Sequence, residues 1–161
     1  DATNVTDVRE VLEGTAEPFG DVVLIDEIGF HHATSTAEVL ADRGCSVEVI
    51  TPGMVVGQDL GITLDMENWW IRAGEKGITQ TTDLVPMGLE GSTLTLLHHP
   101  TGQNVQRRPD WIVLAVHANP VEWLYHDLRS AGVSVERVGD CVAPRRAHSA
   151  VVEGERAGAA I

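Results

Sequence analysis

Two short apolar runs separated by a helical pattern, within residues 21–51, constrain the fold of this chain more than any other feature. The first run lies at 21–25, and the second lies at 46–51, where valines alternate with polar residues. The segment 33–43 between them repeats its apolar residues at helical spacing and ends at Gly44. A strand, a helix and a second strand of this total length form a βαβ crossover, which joins parallel strands of one sheet. The sequence therefore predicts strands at 21–25 and 46–51 and a helix at 33–43.

The rest of the chain also alternates helices with strands, except in its middle part. Apolar spacing and capping residues predict further helices at 5–13 (with Thr6 as N-cap), 59–74, 121–130 and about 145–160. Further strands are predicted to begin at Ile78 and to span 111–116 and 133–138. Residues 81–108 contain short runs separated by turns, which is typical of an antiparallel meander. These patterns predict an α/β fold.

The charge of the chain limits its partners. The sequence has 24 acidic residues against 11 Lys or Arg residues, and its net charge is −13 with neutral histidines. Nucleic acids and anionic membranes require a basic protein face. We therefore expect neither nucleic acid nor a membrane as a partner, and the acidity fits either solubility or docking on a basic protein surface.

The cysteines and the apolar runs bear on the cellular location. Cys45 and Cys141 lie far apart, without a CxxC or Cys/His spacing, so they predict neither a disulfide framework nor a zinc or iron–sulfur site. No apolar run reaches the ~18 residues of a membrane helix, and the first residues have no signal-peptide pattern. These features predict a cytoplasmic protein.

No residue pattern in the chain indicates catalysis or metal binding. The histidine pairs at 31–32 and 98–99 are sequence neighbours, and neighbouring side chains point apart on a strand or a helix. Neither pair alone therefore predicts a metal site. Ser35 has no nucleophile-elbow pattern around it. We accordingly name no catalytic residue and no metal ligand.

The turn after the first predicted strand has the position of a nucleotide-binding loop. In such a loop three glycines allow a tight bend, close approach of the pyrophosphate and close helix packing. Only Gly29 matches a glycine here, and Asp26 and Glu27 place in the turn two carboxylates that would repel a pyrophosphate. Residues 50–53 also lack the acidic residue or Arg that binds the ribose. The pattern favours a scaffold with a lost nucleotide site, and NAD(P) binding is the alternative.

A second turn with binding chemistry contains Gly139, Asp140 and Cys141. A glycine at the end of a predicted strand permits close backbone approach, and Asp140 offers an acceptor for a ribose or ribitol hydroxyl. The helix that begins near Arg145 presents free N–H groups to an anion, and Arg145 and Arg146 add positive charge. The alternative is a strand-to-helix turn without a ligand. The family resemblance described below, together with this helix, favours a FAD or ADP site.

The element order and the stretch "VGDCVAPRRAHSAVVEGERAGAAI" at 138–161 resemble the C-terminal region of a flavoprotein family. This family includes trimethylamine dehydrogenase, histamine dehydrogenase and 2,4-dienoyl-CoA reductase. The resemblance implies a Rossmann-like, disulfide-reductase-type parallel sheet with an antiparallel meander. It implies that residues 21–132 form an NAD(P)-binding-like lobe with a degenerate phosphate loop. Residues 1–20 and 133–161 would then form part of a second, FAD/ADP-binding-type lobe.

The resemblance also implies that parts of the site lie elsewhere. In the family an FMN-binding barrel with a 4Fe–4S cluster precedes this region, and the GxGxxG half of the FAD or ADP site lies upstream of residues 5–13. We therefore expect another chain or segment to supply these parts, and an electron-transfer acceptor is a further candidate partner. The expected function is to complete a FAD or ADP site in an oxidoreductase. The alternatives are an NAD(P)H module that delivers hydride to a flavin, and a cofactor-free structural subunit.

Overall fold

The structure is a computed structural model that describes residues 3–160. It divides the chain into two units, Asp1–Val116 and His117–Ile161. Residues 3–20 lie in the first unit. The assignment of residues 1–20 and 133–161 to one nucleotide-binding lobe stays a prediction. Ile161, which the sequence placed in the last helix, lies outside the described residues.

A parallel sheet forms the centre of the first unit. Its strands, in chain order, are β1 (Val5–Asp7), β2 (Asp21–Asp26), β3 (Ser46–Ile50), β4 (Thr79–Thr81) and β8 (Trp111–Ala115). They lie in the spatial order β1-β8-β2-β3-β4, and each neighbouring pair is parallel. The parallel strands predicted at 21–25, 46–51 and 111–116, and the one predicted to begin at Ile78, are thereby confirmed.

Helices cover one face of this sheet and a meander covers the other. The helices are α1 (Val8–Glu13), α2 (His31–Asp42) and α3 (Met66–Glu75). The meander is an antiparallel sheet with the order β5-β6-β7, and its strands span Leu84–Glu90, Thr93–His98 and Gln103–Arg107. The predicted meander between residues 81 and 108 is confirmed, as is the helix predicted at 33–43.

The alternation of residues in β2 explains the two packed faces. Val22 and Leu24 pack in the core on the helical side. Val23 and Ile25 pack in a second core that also contains Leu84, Leu94 and Leu96 of the meander. Successive side chains of a strand point to opposite faces, so an apolar run without alternation is buried on both sides. The sheet is therefore the middle layer of three.

Two predicted helices of the first unit are wrong in part. The segment 5–13 begins with strand β1, because Val5 pairs with Ile112 of β8. Asp7, rather than Thr6, caps the following helix and forms a capping box with Glu10. The segment 59–74 is interrupted by Leu64, whose φ of 58° cannot belong to a right-handed helix. A 3-10 helix (Gln58–Thr63) therefore precedes α3.

The second unit contains helices α4 (Trp123–Ser130) and α5 (Ala147–Ala159) and a 3-10 helix at Gly139–Cys141. These confirm the helices predicted at 121–130 and 145–160. The strand predicted at 133–138 is wrong, because no strand forms among the described residues of this unit. Val133 and Val138 are exposed. An alternating β-branched pattern forms a strand only beside another strand, and residues 117–160 provide none.

An ion pair connects the two sheets of the first unit. The Arg107 guanidinium donates to both Glu48 carboxylate oxygens at 2.8 and 3.0 Å, and Thr81 donates to the same carboxylate. Burial tends to raise the pKa of Glu48, but the hydrogen bonds from Arg107 and Thr81 outweigh it and hold this pKa below its ordinary value. Because the pKa of Glu48 is lowered in the folded chain, the ion pair stabilises the fold at neutral pH. This stabilisation is lost as the pH falls through the lowered pKa.

We expect Arg107→Ala to lower the free energy of unfolding by about 1 kcal/mol at neutral pH, as for a partly exposed pair. Urea unfolding at neutral and at acid pH measures this loss, which should shrink once Glu48 is protonated. Arg108→Ala is the matched control, because Arg108 is an exposed neighbour and should change stability little. An equal loss in both variants, or a loss that does not depend on pH, would contradict the expected ion-pair effect.

Candidate functional site

The turn at residues 26–31 lies where open α/β sheets bind their ligands. β2 pairs with β3 on one side and with β8 on the other, and the chain crosses from β2 through α2 to β3. The order of strands therefore reverses next to β2. Ligands of such sheets bind at the carboxyl ends of the strands beside this reversal point. The turn has the position of a nucleotide loop, as the sequence predicted.

The carboxylate of Asp26 fills this turn from within. The side chain has 0% exposure. Its Oδ1 accepts the N–H of Gly29 at 2.7 Å and that of Ile28 at 3.2 Å, and its Oδ2 accepts the N–H of Gly57 at 3.2 Å. Backbone N–H groups of such a turn are the donors that a phosphate would use. These donors are occupied by a group of the chain itself.

Burial and hydrogen bonding act on Asp26 in opposite directions. Burial raises the pKa of Asp26 above its ordinary value, and this effect exceeds that of the N–H groups of Gly29, Gly57 and Ile28 and of nearby His32, which lower it. A buried carboxylate is costly unless its oxygens are hydrogen-bonded. The three N–H donors therefore hold Asp26 in the turn, and they depend on it in return.

A covering segment, residues 57–63, lies over the same turn. The N–H of Asp59 donates to the carbonyl of Gly29 at 2.8 Å, and Thr63 Oγ1 lies 3.2 Å from His31 Nε2 at the start of α2. Gly57 has a φ of +67°, and a Cβ there would lie 2.8 Å from the Leu60 side chain and 3.1 Å from that of Thr34. The segment therefore packs directly on the first turns of α2, where a phosphate would approach.

The two carboxylates predicted for this turn differ in their surroundings. Asp26 is buried, whereas Glu27 is exposed, and the Glu27 N–H donates to the carbonyl of Ala115 in β8. Gly29 has a φ of +69°, which a residue with a side chain rarely adopts. Hydrogen bonds to Asp26 thus close the turn to a phosphate. Any repulsion of a phosphate by Glu27 adds to this effect. Sequence reasoning missed Gly57, because no local pattern indicates that it reaches Asp26.

The second candidate turn, in the second unit, is built around Gly139. This residue is buried and has a φ of +69°. A Cβ at Gly139 would lie 3.2 Å from the Cβ of Ala150 in α5. Only glycine fits both the backbone conformation and this close approach without displacing the helix. Gly139 thus lets the turn approach α5 closely, whereas the predicted approach of its backbone to a ligand stays a prediction.

The neighbours of Gly139 lie around the start of α5. Asp140 is exposed, and its Oδ1 lies 3.4 Å from the N–H of Arg145. The half-buried Cys141 thiol donates to the carbonyl of Val138 at 2.9 Å. Arg145 and Arg146 are exposed, and Arg146 is the N-cap residue of α5. The turn therefore offers a solvent-accessible carboxylate and two guanidinium groups beside a helix N-terminus.

Glu153 is part of this turn, although the sequence did not indicate it. Its Oε2 accepts the N–H of Gly139 at 2.8 Å, and its Oε1 forms an ion pair with Nη2 of Arg145. The hydrogen bond from Arg145, followed by that from Gly139, holds the pKa of Glu153 below its ordinary value against partial desolvation. Fourteen residues separate Glu153 from Gly139, so the contact has no local sequence pattern.

The described residues contain no group of three or more His, Cys, Asp or Glu side chains that could hold a metal ion. Among residues 3–160 no helix is long and apolar enough to cross a membrane. In the histidine pair at 98–99, His98 contacts Thr101 and His99 contacts the carbonyl of Pro52.

No family model matches the chain, but its fold is that of the disulfide-reductase flavoproteins. Thioredoxin reductase of T. acidophilum superposes with a TM-score of 0.58 at 13% identity, over 83% of this chain and 41% of that one. The predicted class, a Rossmann-like parallel sheet with an antiparallel meander, is thereby confirmed.

Three further proteins are similar to nearly the whole chain. The 6-hydroxypseudooxynicotine amine oxidase of Pseudomonas geniculata N1 matches with a TM-score of 0.87 and 26% identity, over 98% of this chain and 24% of that one. Histamine dehydrogenase of Rhizobium sp. 4-9 matches with a TM-score of 0.84 and 19% identity, over 96% of this chain and 25% of that one. The N,N-dimethylglycine/sarcosine dehydrogenase of Chromohalobacter salexigens is 27% identical, over 94% of this chain and 27% of its own length.

The chain thus spans about a quarter of the length of the proteins it matches. Over nearly its whole length it is similar to one region of the flavoprotein oxidoreductases of the trimethylamine dehydrogenase and histamine dehydrogenase type. The resemblance predicted from the sequence is confirmed.

Proposed function

We propose that this chain is the nucleotide-binding region of an FMN/iron–sulfur oxidoreductase and completes a FAD or ADP site through Gly139, Asp140 and α5. The observation that carries the proposal is the contrast between the two turns. The turn at Asp26 is closed by a fully buried carboxylate, whereas the turn at Asp140 presents an exposed carboxylate beside a glycine with no room for a side chain.

The residues of the second turn fit an adenine or flavin dinucleotide. The Asp140 carboxylate would accept a ribose or ribitol hydroxyl. The first turn of α5, with Arg145 and Arg146 before it, would attract a phosphate group. Gly139 would let the turn and the helix approach closely. A bound FAD would supply redox chemistry, whereas bound ADP would be structural.

Other segments of the proposed oxidoreductase would carry the remaining parts. A 4Fe–4S cluster needs four thiolates, and this chain has two cysteines, so we assign the cluster to another segment. We assign the FMN barrel and the GxGxxG half-site elsewhere because the family resemblance places them outside this region. Exposed apolar side chains in the second unit support contacts with further protein: Val121, Trp123 and Val151 are 72%, 64% and 69% exposed. An electron-transfer acceptor and a cytoplasmic location remain predictions.

Two other functions compete with this proposal. The first unit could bind NAD(P)H at residues 24–34 and deliver hydride to a flavin, but the closed turn at Asp26 argues against it. A cofactor-free structural module is the other alternative. It would make Gly139 and Asp140 a turn without a ligand.

The absorption spectrum of the purified native protein, with chromatography of the cofactors that it releases, separates these functions. We expect FAD or ADP at one molecule for each copy of this chain. Bleaching of a bound flavin by NADH, without nucleotide at the second turn, would instead favour the hydride-delivery alternative. If the protein releases no nucleotide, the alternative of a cofactor-free structural module is favoured.

A further inference from the structure

Each of the two turns holds a carboxylate of the chain itself, but the two carboxylates are held differently. Asp26 is 0% exposed and bonded only to backbone N–H groups. The Glu153 side chain is 24% exposed, and it reaches the turn from the second helical turn of α5. A long, partly exposed side chain can leave its partners at little cost, whereas a buried one cannot.

The partners of Glu153 are also those that a bound phosphate would need. Its carboxylate pairs with Nη2 of Arg145, while Arg145 Nε donates to the carbonyl of Ala143 at 3.0 Å. The backbone N–H of Arg145 faces Asp140. The Arg145 guanidinium is therefore fixed next to the start of α5 with its charge balanced by Glu153. Arg156 adds a weaker positive charge near the same carboxylate.

We propose that Glu153 is a displaceable internal counter-ion of the nucleotide site, which holds Arg145 in the absence of nucleotide and yields it to a nucleotide phosphate. This inference rests on the proposed function of the same turn. Glu153 keeps its hydrogen bond with Gly139 in this exchange, so the turn stays ordered on α5. The Asp26 carboxylate, by contrast, hydrogen-bonds only to backbone N–H groups among residues 3–160, so it holds no guanidinium that a phosphate could take from it.

The variant Glu153→Gln tests whether Arg145 exchanges Glu153 for a nucleotide phosphate. Its amide oxygen still accepts the N–H of Gly139, but it no longer balances the charge of Arg145. We expect ADP to bind about threefold more tightly than to the wild type, because no ion pair must be broken first. Isothermal titration calorimetry with ADP on the native protein, after release of its own nucleotide, measures this affinity with the other half of the site in place. Glu155→Gln removes the same charge at an exposed position and should leave the affinity unchanged.

The same substitution in an Arg145→Ala background separates the exchange from a general charge effect. We expect Glu153→Gln to have no effect on ADP affinity once Arg145 is absent, because the two residues act as a pair. An equal gain in Glu155→Gln, a gain that persists without Arg145, or no gain at all would overturn the inference. If ADP then still binds in a manner that depends on Asp140, the proposed function stands. If ADP binds neither the wild type nor any variant of the native protein, the proposed function and the inference both fail.

Discussion

Asp26→Ala should lower the free energy of unfolding by about 3 kcal/mol, because it leaves three backbone N–H groups in and beside the turn without an acceptor. These are the N–H groups of Ile28, Gly29 and Gly57. The loss should be accompanied by loosening of the covering segment, since Gly57 belongs to it. Urea unfolding followed by tryptophan fluorescence measures the stability, and hydrogen exchange at Gly57 measures the loosening.

Two further variants show whether the hydrogen bonds of Asp26 cause this loss. Glu27→Ala removes the adjacent, exposed carboxylate and should change stability by less than about 0.5 kcal/mol. Asp26→Asn keeps one acceptor oxygen but turns an amide N–H₂ towards one of the donors, so its loss should be intermediate. If Asp26→Ala were as stable as Glu27→Ala, the assigned role of Asp26 would be wrong.

Gly57→Ala should destabilise the chain by about 2 to 3 kcal/mol, through backbone strain and overpacking together. The residue has a φ of +67°, and the added methyl group would lie 2.8 Å from Leu60 and 3.1 Å from Thr34. Leu60 lies in the covering segment itself and Thr34 lies in α2, so relief of these contacts requires the Leu60 side chain or the covering segment to shift. The same urea unfolding experiment measures the effect.

Gly102→Ala separates the cost of backbone strain from the cost of overpacking. Gly102 has a φ of +70°, but no atom outside its immediate chain neighbours lies within 4 Å of the position that an added methyl group would take. Its substitution should therefore cost only the strain of about 1 kcal/mol. The difference between the two variants is then the cost of the contact with Leu60 and Thr34. Equal losses would show that the contacts with Leu60 and Thr34 add nothing to the backbone strain.

The elements that depend on local pattern were predictable from the sequence. The uninterrupted apolar run of β2 requires cover on both faces, and the helix that follows it requires a parallel partner in β3. The turns of the meander are marked by glycine and proline. These features depend on residues close in sequence, which is why the α/β class and the chain positions of β2, β3, β8 and the meander followed from them.

The errors arose where distant residues decide the structure. Val133 and Val135 have the alternation of a strand, but a strand needs a neighbour, and residues 117–160 contain none. Leu64 adopts a left-handed conformation that no local preference predicts for leucine. Both depend on surroundings that a single sequence does not display.

The chemistry of the candidate site was only partly predictable for the same reason. Asp26 was identified in the nucleotide-type turn, but the sequence suggested repulsion of a phosphate as its effect. Its contact with Gly57 crosses 31 residues, and that of Glu153 with Gly139 crosses 14. Sequence reasoning therefore located both turns and Asp26 by their chain position, but it did not find the donor Gly57 or the carboxylate of Glu153.

The most direct test of the proposed nucleotide site compares the nucleotide content of the native protein carrying Asp140→Ala with that of the protein carrying Glu155→Ala. If the nucleotide binds at the turn of Gly139 and Asp140, Asp140→Ala should lose most of the FAD or ADP that the wild type retains through purification, on the order of tenfold for a lost charged hydrogen bond. Glu155→Ala, which removes an exposed carboxylate of α5, should retain it. Unchanged nucleotide content in Asp140→Ala would contradict the site assignment.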